Sequence, residues 1–286
     1  MKYMFIIFIL LVFAGCSSVS VNTNPQNQAG TGIIIEDYLF SVSAGEIPNA
    51  FIVHKFGAND NVGNTLEPVA LSGNYRTPTT AQSLEILSSD ADDTVGGLGA
   101  RKVKVIGLNA SGDEIEEEIT LNGVTPVSLT NNFLRVYRMY VTESGTYANQ
   151  TAGSHQGILT LRASGGGVTW AIITIEAGFG VGQTEIGAYT VPKDTECYLL
   201  HKVMSVNSNK VADLYFFRRE NINQTTAPYT AMRLVEKHIG LIGIEEITSR
   251  SSIAKFSELT DIGFLATATT SAEVSVEFEL LCERNS

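Results

Sequence analysis

The sequence predicts an all-β protein, with two antiparallel β-sandwich or jelly-roll-like domains arranged in tandem. Apolar and polar residues alternate at period two in many short segments, which is the pattern of half-buried strands. These segments recur about every ten residues and are separated by turn residues, as in sandwiches and jelly rolls. No long stretch has the 3.6-residue apolar period of an amphipathic helix. Ser and Thr together number 50, against 19 Lys plus Arg, a composition typical of β-proteins.

The first 16 residues are predicted to be a signal rather than part of the fold. Lys2 precedes an apolar run at 3–14, which is shorter than the ~20 residues that a membrane-spanning helix needs. Small residues followed by Cys16 resemble the lipobox of bacterial lipoproteins, in which the Cys is acylated, although Phe13 stands where Leu is usual. The alternative is an uncleaved apolar N-terminus that packs against a partner. Residues 17–31 are polar and are predicted to form a tether.

Strands are predicted along the rest of the chain. The segments with the clearest signals are 51–56, 83–87, 102–105, 114–121, 133–142, 157–161, 169–176, 187–191, 196–206, 212–218, 231–237 and 273–283. The last of them places Val274, Val276, Phe278, Leu280 and Cys282 on one apolar face. The pair 102–105 and 114–121 flanks the turn sequence 109–113 and predicts a hairpin.

A glycine-rich stretch divides the predicted strands into two groups. A boundary at 163–167 gives domains of residues 32–165 and 168–286. The stretch at 178–182 is a second candidate for the boundary, slightly later in the chain. Each part is long enough to build a sandwich core. The alternative is that the stretch is a loop within one larger sandwich.

The charge and the motifs exclude two classes of function. The net charge of −11 opposes binding to nucleic acid, because phosphate binding needs a basic surface. None of His54, His155, His201 and His238 has metal-ligand spacing, and 153–157 lacks the order and the strand-to-helix context of a nucleophile elbow. Residues 178–182 lack the third glycine of a dinucleotide-binding loop. The sequence therefore predicts that the protein is not an enzyme.

The loop 88–97 is the one candidate for a metal site. Asp90, Asp92 and Asp93 supply hard oxygen ligands beside glycines, as a loop calcium site requires, although the EF-hand pattern is absent. The alternative is that these residues form Asx turns between strands. No cofactor is predicted apart from structural calcium at this loop.

Two cysteines remain once Cys16 is assigned to lipid. Cys197 and Cys282 form an even pair in a chain with an export signal, so a disulfide is one hypothesis. Cys282 also lies on the apolar face of the last predicted strand, where a buried free thiol fits equally well.

A series of short motifs runs through most of the chain beyond the tether. They are His54–Gly57, Val62–Gly63, Ser88–Ser89, Asp92–Thr94, Gly99–Arg101, Gly107–Leu108, Leu121–Gly123, Leu134–Val136 and Tyr189–Pro192. In order and spacing the series resembles uncharacterised virion structural proteins of marine tailed bacteriophages. The resemblance implies a β-rich virion-surface component, such as a head decoration, fibre or host-attachment protein. It also implies a homo-oligomer whose partners are other virion proteins or a host cell-surface component, and it supplies no catalytic residues.

The N-terminal signal supports a second hypothesis. Cys16 and the tether are typical of an outer-membrane or cell-surface lipoprotein that binds glycans or a partner protein, with membrane contact only through the N-terminal anchor. Tyr137, Tyr140, Tyr147, Tyr189 and Tyr229 are candidates for a glycan platform, but aromatic residues at strand spacing more often lie in a core or on a sheet surface.

Overall fold

The computed structural model describes residues 35–149, 151–248 and 254–285, and in these ranges it contains one α-helix, one short 3₁₀ turn (Leu71–Gly73) and nineteen strands. The helix is α1 (Ile35–Ser43). The strands are β1 (Ala50–Val62), β2 (Glu67–Pro68), β3 (Gln82–Ser88), β4 (Ala100–Leu108), β5 (Glu114–Thr120), β6 (Val127–Phe133), β7 (Arg135–Ser144), β8 (Leu159–Ala163), β9 (Thr169–Ile173), β10 (Ile175–Glu176), β11 (Phe179–Gly180), β12 (Ala188–Thr190), β13 (Thr195–Val206), β14 (Ala212–Arg219), β15 (Arg233–Leu241), β16 (Gly243–Thr248), β17 (Lys255–Phe256), β18 (Asp261–Thr267) and β19 (Ala272–Arg284).

The strands form antiparallel sheets, which confirms the predicted all-β class. Two sheets have five strands each: one has the order β1-β19-β13-β16 with β17 beside β13, and the other has the order β12-β18-β14-β15 with β2 beside β18. Smaller sheets have the orders β6-β3-β8-β9, β5-β4-β7 and β10-β11. No helix among the described residues is long and apolar enough to span a bilayer.

The last strand shows how alternation places side chains. Val274, Val276, Phe278, Leu280 and Cys282 of β19 are all buried, as the sequence predicts, whereas the intervening residues are exposed or half-buried. β19 lies between β1 and β13, and its apolar side chains form the centre of the larger hydrophobic cluster.

The hairpin predicted at 102–121 is also confirmed. β4 and β5 pair antiparallel, and the ammonium of Lys104 lies 2.9 Å from the carboxylate of Glu116 on their polar face. Glu117 departs from the alternation because its carboxylate accepts the backbone N–H groups of Thr130 and Asn131. It therefore links β5 to β6.

The hydrophobic residues form two clusters, but their division differs from the predicted domains. The larger cluster consists mainly of residues of the two five-stranded sheets, joined by Leu108 of β4 and Tyr137 of β7, and the smaller one contains residues between Ala70 and Ala188. β1 pairs with β19, and β2 pairs with β18, so the start of the predicted first domain belongs to the sheets of the second. A single boundary between 165 and 168 does not separate the cores, because backbone pairing joins the two ends of the chain.

A buried ion pair joins the two cores. The Arg135 guanidinium on β7 donates from Nε and Nη2 to Asp261 on β18, at 2.9 and 2.8 Å, and both side chains are almost fully buried. Arg219 and Thr190 also donate to Asp261. The Asp261 carboxylate is thus the acceptor around which strands of both cores meet.

Candidate functional site

The two five-stranded sheets end side by side at strands β15 and β16. Each of these strands pairs with only one neighbour among the described strands, β14 and β13 respectively, and a tight turn at Ile242 connects them. Residues 232–248, called here the edge hairpin, therefore present one strand edge of each sheet, since β15 and β16 belong to different sheets and do not pair with each other. Free edges carry unpaired backbone N–H and C=O groups, which can pair with another strand.

The edge hairpin is the most apolar exposed part of the described chain. Ile239, Ile242 and Ile244 are 64%, 62% and 75% exposed. Met232, just before β15, and Leu234 and Val235 at its start are also exposed apolar residues. Single exposed apolar residues are ordinary, but a contiguous group on one element is typical of an interaction surface.

Two glycines shape the tip of the hairpin. Gly240 and Gly243 have φ angles of +71° and +75°, a left-handed conformation that other residues adopt only with strain. They allow the chain to turn sharply as it passes from one sheet to the other, and Ile239, Ile242 and Ile244 each lie directly beside one of these glycines in the sequence.

A network of charged side chains holds the hairpin from its inner side. Lys202 on β13 is 2% exposed, and its ammonium donates to the carboxylate of Glu236 on β15. His238 lies between two carboxylates, with Nε2 3.3 Å from Glu236 and Nδ1 3.0 Å from Glu245 on β16. The network therefore connects both sheets behind the exposed isoleucines.

The electrostatics of this network favour the ionised carboxylate. Burial alone would raise the pKa of Glu236, but the hydrogen bond and the positive charge of Lys202 outweigh it, so the pKa lies below its ordinary value. The Lys202 ammonium also lies 5.5 Å from the ring centroid of Phe216, which is a favourable cation–π distance. A charge pair held in this way fixes the hairpin relative to the core.

The predicted calcium ligands do not converge on a common point. Asp93 is fully buried and accepts hydrogen bonds from Ser88 Oγ and from the backbone N–H groups of Ala100, Gln156 and Gly157. Asp90 accepts the N–H of Asp92 at 2.8 Å, which is the Asx turn given as the alternative. In the part of the chain that the structure describes, no group of three His, Cys, Asp or Glu side chains could hold a metal ion. The calcium site stays a prediction that this geometry does not support.

The other predicted site residues lie in different environments. Cys197 and Cys282 are opposite each other on β13 and β19, and their sulfurs form a disulfide bond in the structure. Cys16, the predicted site of lipid attachment, lies outside the described residues. Tyr137 and Tyr189 pack edge to face with ring centroids 4.9 Å apart, whereas Tyr147 is exposed elsewhere.

The edge hairpin is only partly covered by the predicted strands. The predicted strand ends at 237, whereas β15 continues to Leu241 and β16 follows after one residue. The sequence Gly240-Leu-Ile-Gly243 between two alternating segments is the turn signal that indicates the chain reorientation between β15 and β16.

Comparison with known proteins assigns the chain to no family. Neither a family model nor a curated protein matches it. Among solved structures, T=1 particles derived from infectious bursal virus are 12% identical, with 83% of this chain and 75% of that chain covered and a TM-score of 0.20. The VP2 subviral particle of infectious bursal disease virus is 11% identical, with coverages of 87% and 82% and a TM-score of 0.18. A Cry1Da tryptic core variant of Bacillus thuringiensis is 10% identical, with coverages of 76% and 52% and a TM-score of 0.19. Structural similarity at TM-scores of 0.18–0.20 supports no conclusion about the fold or the function of this chain.

Proposed function

We propose that this protein is a non-enzymatic structural component of a phage-type virion surface, and that it assembles with further copies of itself through the edge hairpin. The observation that carries the proposal is the group of three isoleucines, each more than 60% exposed, on and between two strands that each form one edge of a large sheet among the described strands. Burying one such side chain stabilises an association by about 1.5–3 kcal/mol. A closed symmetric contact uses the same residues on both copies and doubles that gain.

The charges of the hairpin favour a second copy as the occupant. Lys237 on β15 and Glu246 on β16 are exposed and have opposite signs. A copy related by a two-fold axis can place the lysine of each chain against the glutamate of the other. The protein has a net charge of −11, so most other surfaces of two copies repel each other.

The predicted sandwich architecture is part of this proposal. Side chains from both five-stranded sheets share one hydrophobic cluster, and this sharing supports a two-layer arrangement. The series of motifs that resembles marine phage virion proteins supports the virion surface as the location, in a head decoration, fibre or attachment component.

Replacement of Ile244 by lysine tests the assembly contact. We expect Ile244→Lys to raise the dissociation constant of the oligomer at least tenfold, because each copy would bury an unpaired ammonium in an apolar contact. Sedimentation velocity of the full chain over a concentration series measures this change.

Val168→Lys is the matched control. Val168 is 59% exposed and lies outside the edge hairpin, so the same addition of charge leaves the contact unchanged. Association that is equal in the wild type and in both variants would contradict the assembly proposal. Mass spectrometry of particles purified from the source tests the virion assignment independently, because a virion component must be present in them.

The second candidate is an outer-membrane or cell-surface lipoprotein, which the small residues before Cys16 favour. For this candidate we expect radiolabelled palmitate to be incorporated into the wild type and lost in Cys16→Ala. Labelling that is the same in both proteins would contradict it.

A further inference from the structure

A cavity of about 360 Å³ is lined by residues of β1 and β7 and lies beside the larger hydrophobic cluster, to which Tyr137 and Tyr189 of its lining belong. Its charged lining residues are His54, Lys55, Glu114, Arg138 and Arg284. The protein contains 30 acidic and 19 basic residues, yet this cavity has three strong cations and one carboxylate. The lining is therefore locally basic in an acidic chain.

Lys55 is the unusual member of this lining. Its side chain lies on the same face of β1 as Phe51 and Val53, and the residue is only 5% exposed. Its ammonium donates to the carbonyl of Tyr137, which uses one of its three N–H donors. The charged group that acts on it is Arg138, which is also positive. A buried ammonium without a carboxylate is costly unless a ligand supplies the negative charge.

Arg138 extends the positive lining of the cavity. It is half-buried on β7, and it also lines an adjoining cavity of about 380 Å³ together with Tyr140 and Gln183. Among the described residues neither Arg138 nor Lys55 has a carboxylate within 4.0 Å, whereas Arg284 lies 3.9 Å from Glu114. Two unpaired cations thus border the same space.

We propose that this cavity binds the oxyanion of a small ligand, a carboxylate or sulfate carried on a sugar ring, between Lys55 and Arg138. The Arg138 guanidinium can hold an oxyanion through two parallel N–H donors. The Lys55 ammonium has two further N–H donors beyond the one that Tyr137 accepts. The Phe51 ring, which has the Arg284 guanidinium 5.1 Å from its centroid, supplies apolar surface for the ring of the sugar. This inference is independent of the assembly proposal.

The titration of Lys55 adds a pH dependence to the binding. Burial, and secondarily the positive charge of Arg138, lowers the pKa of Lys55 to about 7. The ammonium therefore loses its proton as the pH rises through 7, and an oxyanion is held more weakly above that pH. Besides Arg138, the other titratable groups that line the cavity are His54, Glu114, Tyr137, Tyr189 and Arg284.

Isothermal titration calorimetry of the full chain with glucuronate, glucose and sodium sulfate tests the site. We expect glucuronate to bind at least tenfold more weakly at pH 9 than at pH 6, and glucose not to bind. If both glucuronate and sulfate bind, the site accepts oxyanions in general. If glucuronate binds and sulfate does not, the site is specific for a carboxylate. If neither anion binds at pH 6, the proposal is wrong.

Three variants distinguish binding in the cavity from non-specific attraction of an anion to positive charge. Arg138→Gln and Lys55→Met are expected to weaken glucuronate binding at least tenfold at pH 6. Lys193→Gln removes the same charge from an exposed side chain outside the cavity and is expected to leave binding unchanged. Equal losses in all three variants would overturn the assignment. In Lys55→Met the change in affinity between pH 6 and pH 9 should largely disappear, because Lys55 is the group whose pKa of about 7 lies within this range. Lys55→Met removes a buried unpaired charge, so a thermal melt at least as high as that of the wild type verifies its fold.

Discussion

Replacement of Arg135 by methionine is expected to lower the free energy of unfolding by about 3–5 kcal/mol, because it leaves the buried carboxylate of Asp261 without its main partner. The guanidinium is fully buried, and it donates to Asp261 and to the carbonyl oxygens of Leu134 and Pro78. All of these acceptors lose a charged donor in the variant. Urea unfolding at pH 7, followed by the fluorescence of the single tryptophan Trp170, measures the change.

Arg219→Met is the matched control for this experiment. Arg219 also donates to Asp261, at 3.0 Å, but its side chain is 27% exposed, and Arg135 remains in place. We expect a smaller loss, because one hydrogen bond to a charged group contributes about 1.5–3 kcal/mol. The double variant Arg135→Met/Asp261→Leu should recover part of the stability, because no fully buried charge is left unpaired and only the partly exposed Arg219 loses its carboxylate. A loss below about 1 kcal/mol for Arg135→Met would show that the ion pair does not hold the cores together.

Replacement of Asp93 by alanine is expected to lower the free energy of unfolding by about 3 kcal/mol or more. The carboxylate accepts three backbone N–H groups and one hydroxyl, and each donor left unsatisfied in a buried position costs about 1–3 kcal/mol. These donors come from β3, from β4 and from the segment before β8, so the loss affects the junction of all three. The same urea titration measures the effect.

Asp90→Ala and EDTA distinguish this structural role from a calcium site. Asp90 accepts one exposed N–H, so its replacement should change stability by only about 0.5 kcal/mol. EDTA should leave the unfolding midpoint of the wild type unchanged if Asp93 acts through hydrogen bonds alone. A large decrease with EDTA, reversed by added calcium, would instead support the calcium site predicted at Asp90, Asp92 and Asp93.

Local patterns were sufficient to predict the strands with strong alternation. The buried face of β19 and the hairpin of β4 and β5 follow from side-chain periodicity and turn residues, which act over a few neighbouring positions. The end of β15 and all of β16 were not predicted because Gly240 and Gly243 interrupt the alternation, and exposed isoleucines have no periodic signature.

The domain boundary could not be predicted in the same way. Glycine-rich segments such as 163–167 are boundaries only if the strands on either side pair among themselves, and pairing depends on contacts between distant residues. β1 pairs with β19 across most of the chain, so the two cores are not consecutive segments.

The sequence by itself determined the all-β class, the alternation of most strands and the acidic surface, because these depend on local periodicity and on composition. Only the tertiary structure decided the surroundings of Lys55, Asp93 and Arg135. The free energy of a buried charge depends on the groups that distant strands bring to it: Asp261 beside Arg135, four donors around Asp93, and no carboxylate within 4.0 Å of Lys55 among the described residues.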